Sequence, residues 1–102
     1  MTRLFSPKDP SEIVLLGFNF AKILSLGEVI VSATWEVTNQ ESEVVSEMLV
    51  GAVDITAAPI VRQAITGGVA NQTYRHRAIG TTNLNRVLVA GAEQKIGWGW
   101  AQ

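Results

Sequence analysis

The sequence predicts an all-β sandwich with an extended N-terminal arm and a C-terminal tail. The chain has 102 residues, a length that suits a single domain with one modest core. Residues 28–38 alternate apolar with polar side chains, as a half-buried strand does. Short apolar segments separated by turn signals at intervals of about ten residues are typical of a sandwich. We expect the arm at residues 1–11, the sandwich at 12–96 and the tail at 97–102.

The first strand is expected to follow a proline-containing arm. Two prolines within residues 1–11 push the residues before them towards extended geometry. Residues 12–20 are apolar at both odd and even positions, which predicts a strand that is covered on both faces. Residues 21–27 are predicted to form a connection that tucks Ile23 or Leu24 under the sandwich.

The clearest strand signal lies in residues 28–38. Its apolar side chains are expected to share one face of the strand: Val29, Val31, Ala33, Trp35 and Val37. A buried tryptophan removes about 200 Å² of surface from water, so Trp35 is predicted to anchor the packing of two sheets. The polar residues 39–43 predict the turn that follows.

The middle of the chain is predicted to supply two or three strands. Residues 44–56 form one or two strands that are interrupted near Gly51, and Pro59 marks an edge or a bend. Residues 60–66 form the next strand. It ends in the Gly-Gly turn at 67–68, where glycine supplies a positive φ at no steric cost.

The last two strands are predicted at residues 73–79 and 86–92, with a turn at 81–85 between them. The first of these strands alternates, which places its side chains on two sides. One side is expected to carry Tyr74, His76 and Ala78, and the other Arg75 and Arg77.

Composition limits the chemistry that the chain can perform. There is no cysteine, which excludes disulfides, cysteine-ligated metals and a thiol nucleophile, and which agrees with synthesis in a reducing cytoplasm. The first residues lack the apolar core of a signal peptide, and no apolar run approaches the ~20 residues that cross a bilayer. Only 17% of the residues are charged. This low value is typical either of a surface committed to neighbouring proteins or of a compact β protein with few lysines.

The two halves of the chain differ in charge. Residues 1–61 carry three basic and eight acidic side chains, whereas residues 62–102 carry five basic side chains and one acidic. Two faces of opposite sign would favour head-to-tail association of copies. Alternatively, acidic and basic strands pair within the fold. A net charge of −1 with scattered cations predicts no nucleic-acid partner.

No segment has the pattern of a catalytic or metal site. His76 is the only histidine, and it has no second ligand at metal-binding spacing, so a structural or interface role is favoured. A Ser-His-acid triad needs only convergence in space, but no strand–turn–helix elbow surrounds a serine. The Gly-Gly turn at 67–68 precedes a strand rather than the helix of a phosphate loop. Glu41, Glu43 and Glu47 lack the spacing of a calcium loop. We therefore expect no enzyme activity, no cofactor and no metal.

Three groups of residues follow one another as landmarks along the chain. They are Lys8-Asp9-Pro10 with Glu12, then Gly27-Glu28 with Ile30, Ser32 and Trp35, then Gly67-Gly68 with Tyr74. Taken in this order, over roughly residues 7–90, they resemble the fiber-tail adaptor family of tailed bacteriophages. The resemblance implies an immunoglobulin-like sandwich in the tail or neck of a virion that is made in the host cytoplasm. It also implies that the protein joins the tail to fibers or to successive rings.

The same resemblance implies which surfaces meet other proteins. The expected partners are copies of the chain in a ring and other virion proteins of the tail tube, adaptor or fiber, with no membrane partner. Two tryptophans separated by glycines suit a partner's pocket better than water, so the tail is predicted to dock on a neighbouring subunit or another virion protein. The alternative is that the tail folds back on its own domain. The candidate partner-binding residues are Arg3, Phe5, Arg75, Arg77, Trp98 and Trp100.

Two alternative functions remain open at this point. One is a head decoration or minor capsid protein, which the residues do not distinguish from an adaptor. The other is a free immunoglobulin-like module that binds a glycan through exposed aromatic and amide side chains gathered at one end of the sandwich. The candidates for that cluster are Asn71, Gln72, Asn83 and Asn85.

Overall fold

Two antiparallel sheets pack face to face in the computed structural model, which describes Phe5 and residues 8–97. The strands of this described part are β1 (Val14–Asn19), β2 (Ile30–Thr38), β3 (Leu49–Asp54), β4 (Ile60–Ile65), β5 (Thr73–Thr82) and β6 (Val87–Lys95). Short 3-10 helices at Ala21–Ile23 and Ser46–Met48 lie in the connections. The predicted all-β sandwich is confirmed.

The order of the strands gives the sandwich its topology. One sheet has the order β1-β4-β3 and the other the order β2-β5-β6. These orders match strands B-E-D and C-F-G of an immunoglobulin-type sandwich. Trp35 lies on β2, which corresponds to the strand that carries the core tryptophan in that architecture. Tyr74 is the second residue of β5, which corresponds to the strand that carries the corner tyrosine near its start.

The N-terminal segment runs along the free edge of β6. The backbone N–H of Phe5 donates to the carbonyl of Glu93 at 2.8 Å, and that of Lys8 donates to the carbonyl of Lys95 at 3.1 Å. Lys8 and Ile96 form a parallel bridge. This pairing satisfies part of an edge that would otherwise expose unpaired backbone groups.

Aromatic side chains from both sheets meet at the centre of the core. The rings of Phe18 on β1 and Trp35 on β2 lie with their centroids 5.0 Å apart, and the Phe5 ring lies 5.1 Å from Phe18. Truncation of a tryptophan in such a core costs about 3–5 kcal/mol. Trp35 therefore anchors the two sheets, as the sequence predicts.

The prediction that the first strand is covered on both faces is wrong. Leu16 and Phe18 point into the core, whereas Leu15 is 60% exposed and Ile13 also faces solvent. The sheet of β1 has one face on the core and one on solvent, so the apolar residues on its outer face have no second layer to cover them.

The predicted face of β2 is wrong at its beginning. The pairing with β5 shifts between Ile30 and Ser32, which is the mark of a β-bulge. As a result Ile30 is buried, whereas Val31 is 52% exposed and Val29 also faces solvent. Beyond the bulge the prediction holds, because Trp35 and Val37 are buried.

The later strands agree with the sequence prediction. Residues 44–56 contain one strand, β3, whose pairing with β4 is irregular around Gly51, where φ is +70°. On β5 the side chains of Tyr74 and His76 are buried, and those of Arg75 and Arg77 are exposed. Pro59 follows a cis peptide bond in the turn before β4.

Candidate interaction surfaces

The Lys-Asp-Pro segment and the Gly-Gly turn lie against each other. The Lys8 side chain is 1% exposed, and its ammonium donates to the carbonyls of Asp9 and Gly67, each at 2.7 Å. Burial lowers the pKa of Lys8 from its ordinary value. At Gly68, where φ is +97°, a Cβ would meet the buried Ile96 side chain at 2.8 Å. These motifs therefore fasten the N-terminal segment to the body of the domain.

Tyr74 forms the corner that immunoglobulin-type sandwiches place at the start of this strand. Its hydroxyl accepts a hydrogen bond from the backbone N–H of Val69 at 3.0 Å, and its ring is buried. The bond ties the loop after the Gly-Gly turn to the core. Tyr74 is thus a structural residue.

The acidic landmark Glu28 is the centre of a network at the other end of the sandwich. Its buried carboxylate accepts two hydrogen bonds from Arg86, at 2.5 and 2.8 Å, and one from the hydroxyl of Thr82 at 2.7 Å. The backbone N–H of Ser25 donates to the same carboxylate at 2.8 Å. These bonds, those of Arg86 first, hold the pKa of Glu28 at about 2. The network joins the β1–β2 connection to the β5–β6 turn.

His76 lies in the core, where it is 1% exposed. The indole N–H of Trp35 donates to His76 Nδ1 at 3.0 Å. Burial lowers the pKa of His76 to about 4, and the neighbouring Gln94 side chain acts in the opposite direction. A neutral, buried ring whose Nδ1 accepts from Trp35 has the geometry of a structural histidine, which the sequence favours over catalysis.

Arg75 and Arg77 lie on the outer face of the β2-β5-β6 sheet, with acidic residues beside them. Arg77 is 3.4 Å from Glu36, and Arg75 lies opposite Glu93 on β6. The structure thus confirms that both arginines share an exposed face, and it adds that their charge is partly balanced there. Their role in partner binding stays a prediction.

Ion pairs in the described part of the chain join the acidic first half to the basic second half. They link Glu28 with Arg86, Glu36 with Arg77, and Asp54 with Arg62. The charge split of the sequence is therefore used within the fold, which favours the second of the two interpretations given above.

The other predicted partner residues differ in what the structure shows of them. Arg3, Trp98 and Trp100 lie outside the described residues. The Phe5 ring packs near Trp35 and lies 5.6 Å from the His76 ring, so it has a structural role in its own domain. Partner binding by Phe5 stays a prediction for the part of its ring that is not buried.

One end of the sandwich carries an apolar surface that the sequence pattern does not predict. A groove of about 490 Å³ lies beside the β1–β2 connection. Exposed apolar side chains of this connection and of the β5–β6 turn lie at the same end: Ile23, Leu26, Val29 and Leu84. Only Leu24, of the two residues proposed to tuck under the sandwich, packs against the core. The sequence does contain a signal for this surface. The short connection at residues 21–27 holds several apolar residues, of which only one was expected to be buried under the sandwich.

The amides proposed for glycan binding do not gather at one end. Asn71 and Gln72 precede β5, whereas Asn83 and Asn85 follow it, and β5 is ten residues long. Asn83 is also engaged within the fold, since its side chain accepts from the backbone N–H of Val29 at 2.9 Å. The arrangement does not favour the glycan-binding alternative.

The described residues contain neither a cluster of metal ligands nor a long apolar helix. In the described ranges, 5 and 8–97, no group of three or more His, Cys, Asp or Glu side chains is placed to hold a metal ion. None of the helices in this part of the chain is long and apolar enough to span a membrane.

The described residues define an immunoglobulin-type sandwich with a structural histidine and an exposed apolar end. Comparison with protein families identifies the family. The family model of the podophage GP4 fiber-tail adaptor protein gp77 matches residues 8–92, so the chain belongs to this family. The comparisons with curated proteins and with solved structures found no match. The suspected resemblance to the fiber-tail adaptors is confirmed.

Family membership establishes the general role. The protein is a structural component of a phage tail, it belongs to the virion, and it interacts with other tail or fiber proteins. The match begins at Lys8, which fastens the N-terminal segment, and ends within β6. The tryptophans of the tail therefore lie beyond the part of the chain that defines the family.

Proposed function

We propose that copies of this protein form a ring at the tail or neck of a podophage particle and join the tail to fibers or to successive rings. The family match over residues 8–92, which includes all or most of every strand of both sheets, is the observation that carries this proposal. In this arrangement residues 12–96 form the body of each subunit. The arm (1–11) and the tail (97–102) extend the contacts to neighbours.

The surfaces of the sandwich agree with such a role. The described structure is elongated, at 42 × 25 × 24 Å, and its apolar end differs in character from the charged outer face of the β2-β5-β6 sheet. Distinct surfaces at different places suit a subunit that meets several kinds of neighbour at once. Because acidic residues accompany the arginines of that face, we expect proteins rather than nucleic acid as partners. We expect synthesis in the host cytoplasm and no cofactor.

Labelled particles test the proposal. The turn at 39–43 carries exposed side chains between β2 and β3, so an epitope inserted there should leave both sheets intact. Electron microscopy of antibody-labelled virions is expected to show the label at the tail or neck in a rotationally symmetric pattern. A label on the head surface would contradict the proposal and favour the head decoration alternative.

Particles that lack the protein provide the second arm of the test. We expect them to package DNA but to carry few or no fibers, with a corresponding loss of adsorption to host cells. Supplying the tagged protein in trans should restore both properties. Fully fibered particles in its absence would refute the adaptor role.

A further inference from the structure

The groove at the apolar end of the sandwich is built to receive an apolar side chain. Its lining includes Leu24, Leu26, Val29 and Pro59, and Leu26 is fully exposed. Its volume of about 490 Å³ lies within the range of sites that enclose small organic groups. Ser25 in the lining carries a hydroxyl that can accept a hydrogen bond from an indole N–H. Covering this surface removes apolar area from water, which favours an apolar occupant.

The groove and Gly97, the residue at which the tail begins, lie at opposite ends of the domain. The backbone N–H of Asn83 donates to the carbonyl of Val29 at 3.0 Å, which places the groove beside the β5–β6 turn. From this turn β6 runs over nine residues, about 27 Å at the rise of a strand. Gly97, whose N–H donates to the carbonyl of Lys8 at 2.7 Å, lies at the far end of that strand.

The chain between Gly97 and Trp100 is too short for either tryptophan to reach the groove of its own domain. An extended chain spans at most ~3.6 Å per residue, so three residues beyond Gly97 reach about 11 Å at most. This reach is less than half of the length of β6. The groove of a second copy is not limited in this way.

We propose that the groove of one copy binds the tryptophans of the C-terminal tail, Trp98 and Trp100, from a second copy. Tryptophans are enriched among the residues that dominate protein interfaces, and they act most strongly in desolvated pockets. A contact between the tail of one copy and the opposite end of the next is heterologous, so it closes into a ring or extends into a filament. The inference rests on the proposed ring and names the contact that builds it.

Purified full-length variants test the contact by sedimentation velocity. Leu26→Asp places a charge in the groove, and the double substitution Trp98→Ala with Trp100→Ala removes the occupant. Leu15→Asp is the matched control, because Leu15 is an exposed leucine on the outer face of the β1-β4-β3 sheet, outside the groove. We expect the groove and tail variants to raise the dissociation constant of self-association roughly 30-fold or more, and the control to leave it unchanged. Circular dichroism confirms that each variant is folded.

A mixture of the groove variant and the tail variant tests the direction of the contact. Each variant keeps the half that the other lacks, so we expect native mass spectrometry to show a 1:1 heterodimer that does not grow further. A symmetric face-to-face contact would not be restored by mixing. Absence of the heterodimer, or a wild-type chain that stays monomeric, overturns the inference.

Particle assembly separates this inference from the proposed function. If the groove, tail and control variants all self-associate as strongly as the wild type, the docking contact is wrong while the adaptor role stands. If the groove variant self-associates normally but fails to enter particles, the groove binds another virion protein, and the inference is again overturned. Absence of the wild-type protein from tails would instead refute the adaptor role itself.

Discussion

Protonation of His76 is expected to weaken the core of the sandwich. His76 Nδ1 accepts a hydrogen bond from the indole N–H of Trp35 at 3.0 Å, so the neutral ring must carry its proton on Nε2. A proton on Nδ1 would remove that acceptor and place a charge between the sheets. Burial accordingly lowers the pKa of His76 from 6.5 to about 4, while the neighbouring Gln94 side chain acts in the opposite direction.

The size of the effect follows from the two pKa values of His76. In the unfolded chain the group is protonated below pH 6.5, whereas in the folded protein it stays neutral down to about pH 4. Between these values the unfolded state binds more protons, so the free energy of unfolding falls as the pH falls. Within this window each pH unit changes the free energy of unfolding by about 1.4 kcal/mol. From pH 7.5 to pH 5 we therefore expect a loss of about 2 kcal/mol.

Urea unfolding at pH 7.5, 6 and 5, followed by far-UV circular dichroism, measures this loss as a lower midpoint. His76→Asn is the control, because its carbonyl oxygen can accept the bond from Trp35 but does not titrate. The carboxylates of Glu28 and Asp54, whose pKa values are held at about 2, contribute mainly below this range. The window between pH 7.5 and pH 5 therefore isolates the histidine.

Two outcomes would refute the argument for a neutral, buried His76. One is a wild-type midpoint that is the same at pH 7.5 and at pH 5. The other is an Asn variant whose midpoint falls with pH as steeply as that of the wild type. In the second case another titrating group, rather than His76, would be responsible for the acid sensitivity.

Three further predictions concern the landmark residues. Tyr74→Phe removes the hydroxyl that accepts a backbone N–H, so the free energy of unfolding should fall by about 1–2 kcal/mol in urea titrations; an unchanged value would show that the corner bond is dispensable. Gly68→Ala should destabilise more than Gly67→Ala, because both positions have a positive φ but only at Gly68 does a Cβ meet Ile96 at 2.8 Å, and equal melting temperatures would contradict this. Glu28→Gln should lower the melting temperature at pH 7 and have less effect at pH 2, where the wild-type carboxylate is itself partly protonated; a loss that is independent of pH would argue against a role for its charge.

Strands with regular alternation could be predicted from the sequence. The irregular ends of strands, and whether a strand is covered on one face or on both, could not. On β5 alternation identifies the buried His76 and the exposed arginines, because each neighbouring residue must point to the opposite face. The bulge near Ile30 shifts this period by one residue. Because Val29, Ile30 and Val31 are all apolar, the local pattern does not show which of them faces the core, and the structure buries Ile30 rather than the two valines.

The position of a strand in its sheet is also hidden from a local pattern. The apolar residues of β1 on both parities suggest burial on both faces, yet Leu15 lies on an outer face that no layer covers. The groove could not be predicted from the sequence for a related reason. Exposure of Leu26 depends on where the β1–β2 connection packs, which is decided by the Glu28 network with the distant Arg86.

The residues that carry the resemblance to the family are structural, and this determines where partner specificity can lie. The side chains of Lys8, Glu28 and Tyr74 are buried and engaged in hydrogen bonds within the domain. A change at any of them should reduce stability and assembly together. Leu26, by contrast, is fully exposed, so its substitution should alter assembly alone. A variant that disturbs assembly at full stability therefore marks a partner contact, and the family landmarks are not the place to look for one.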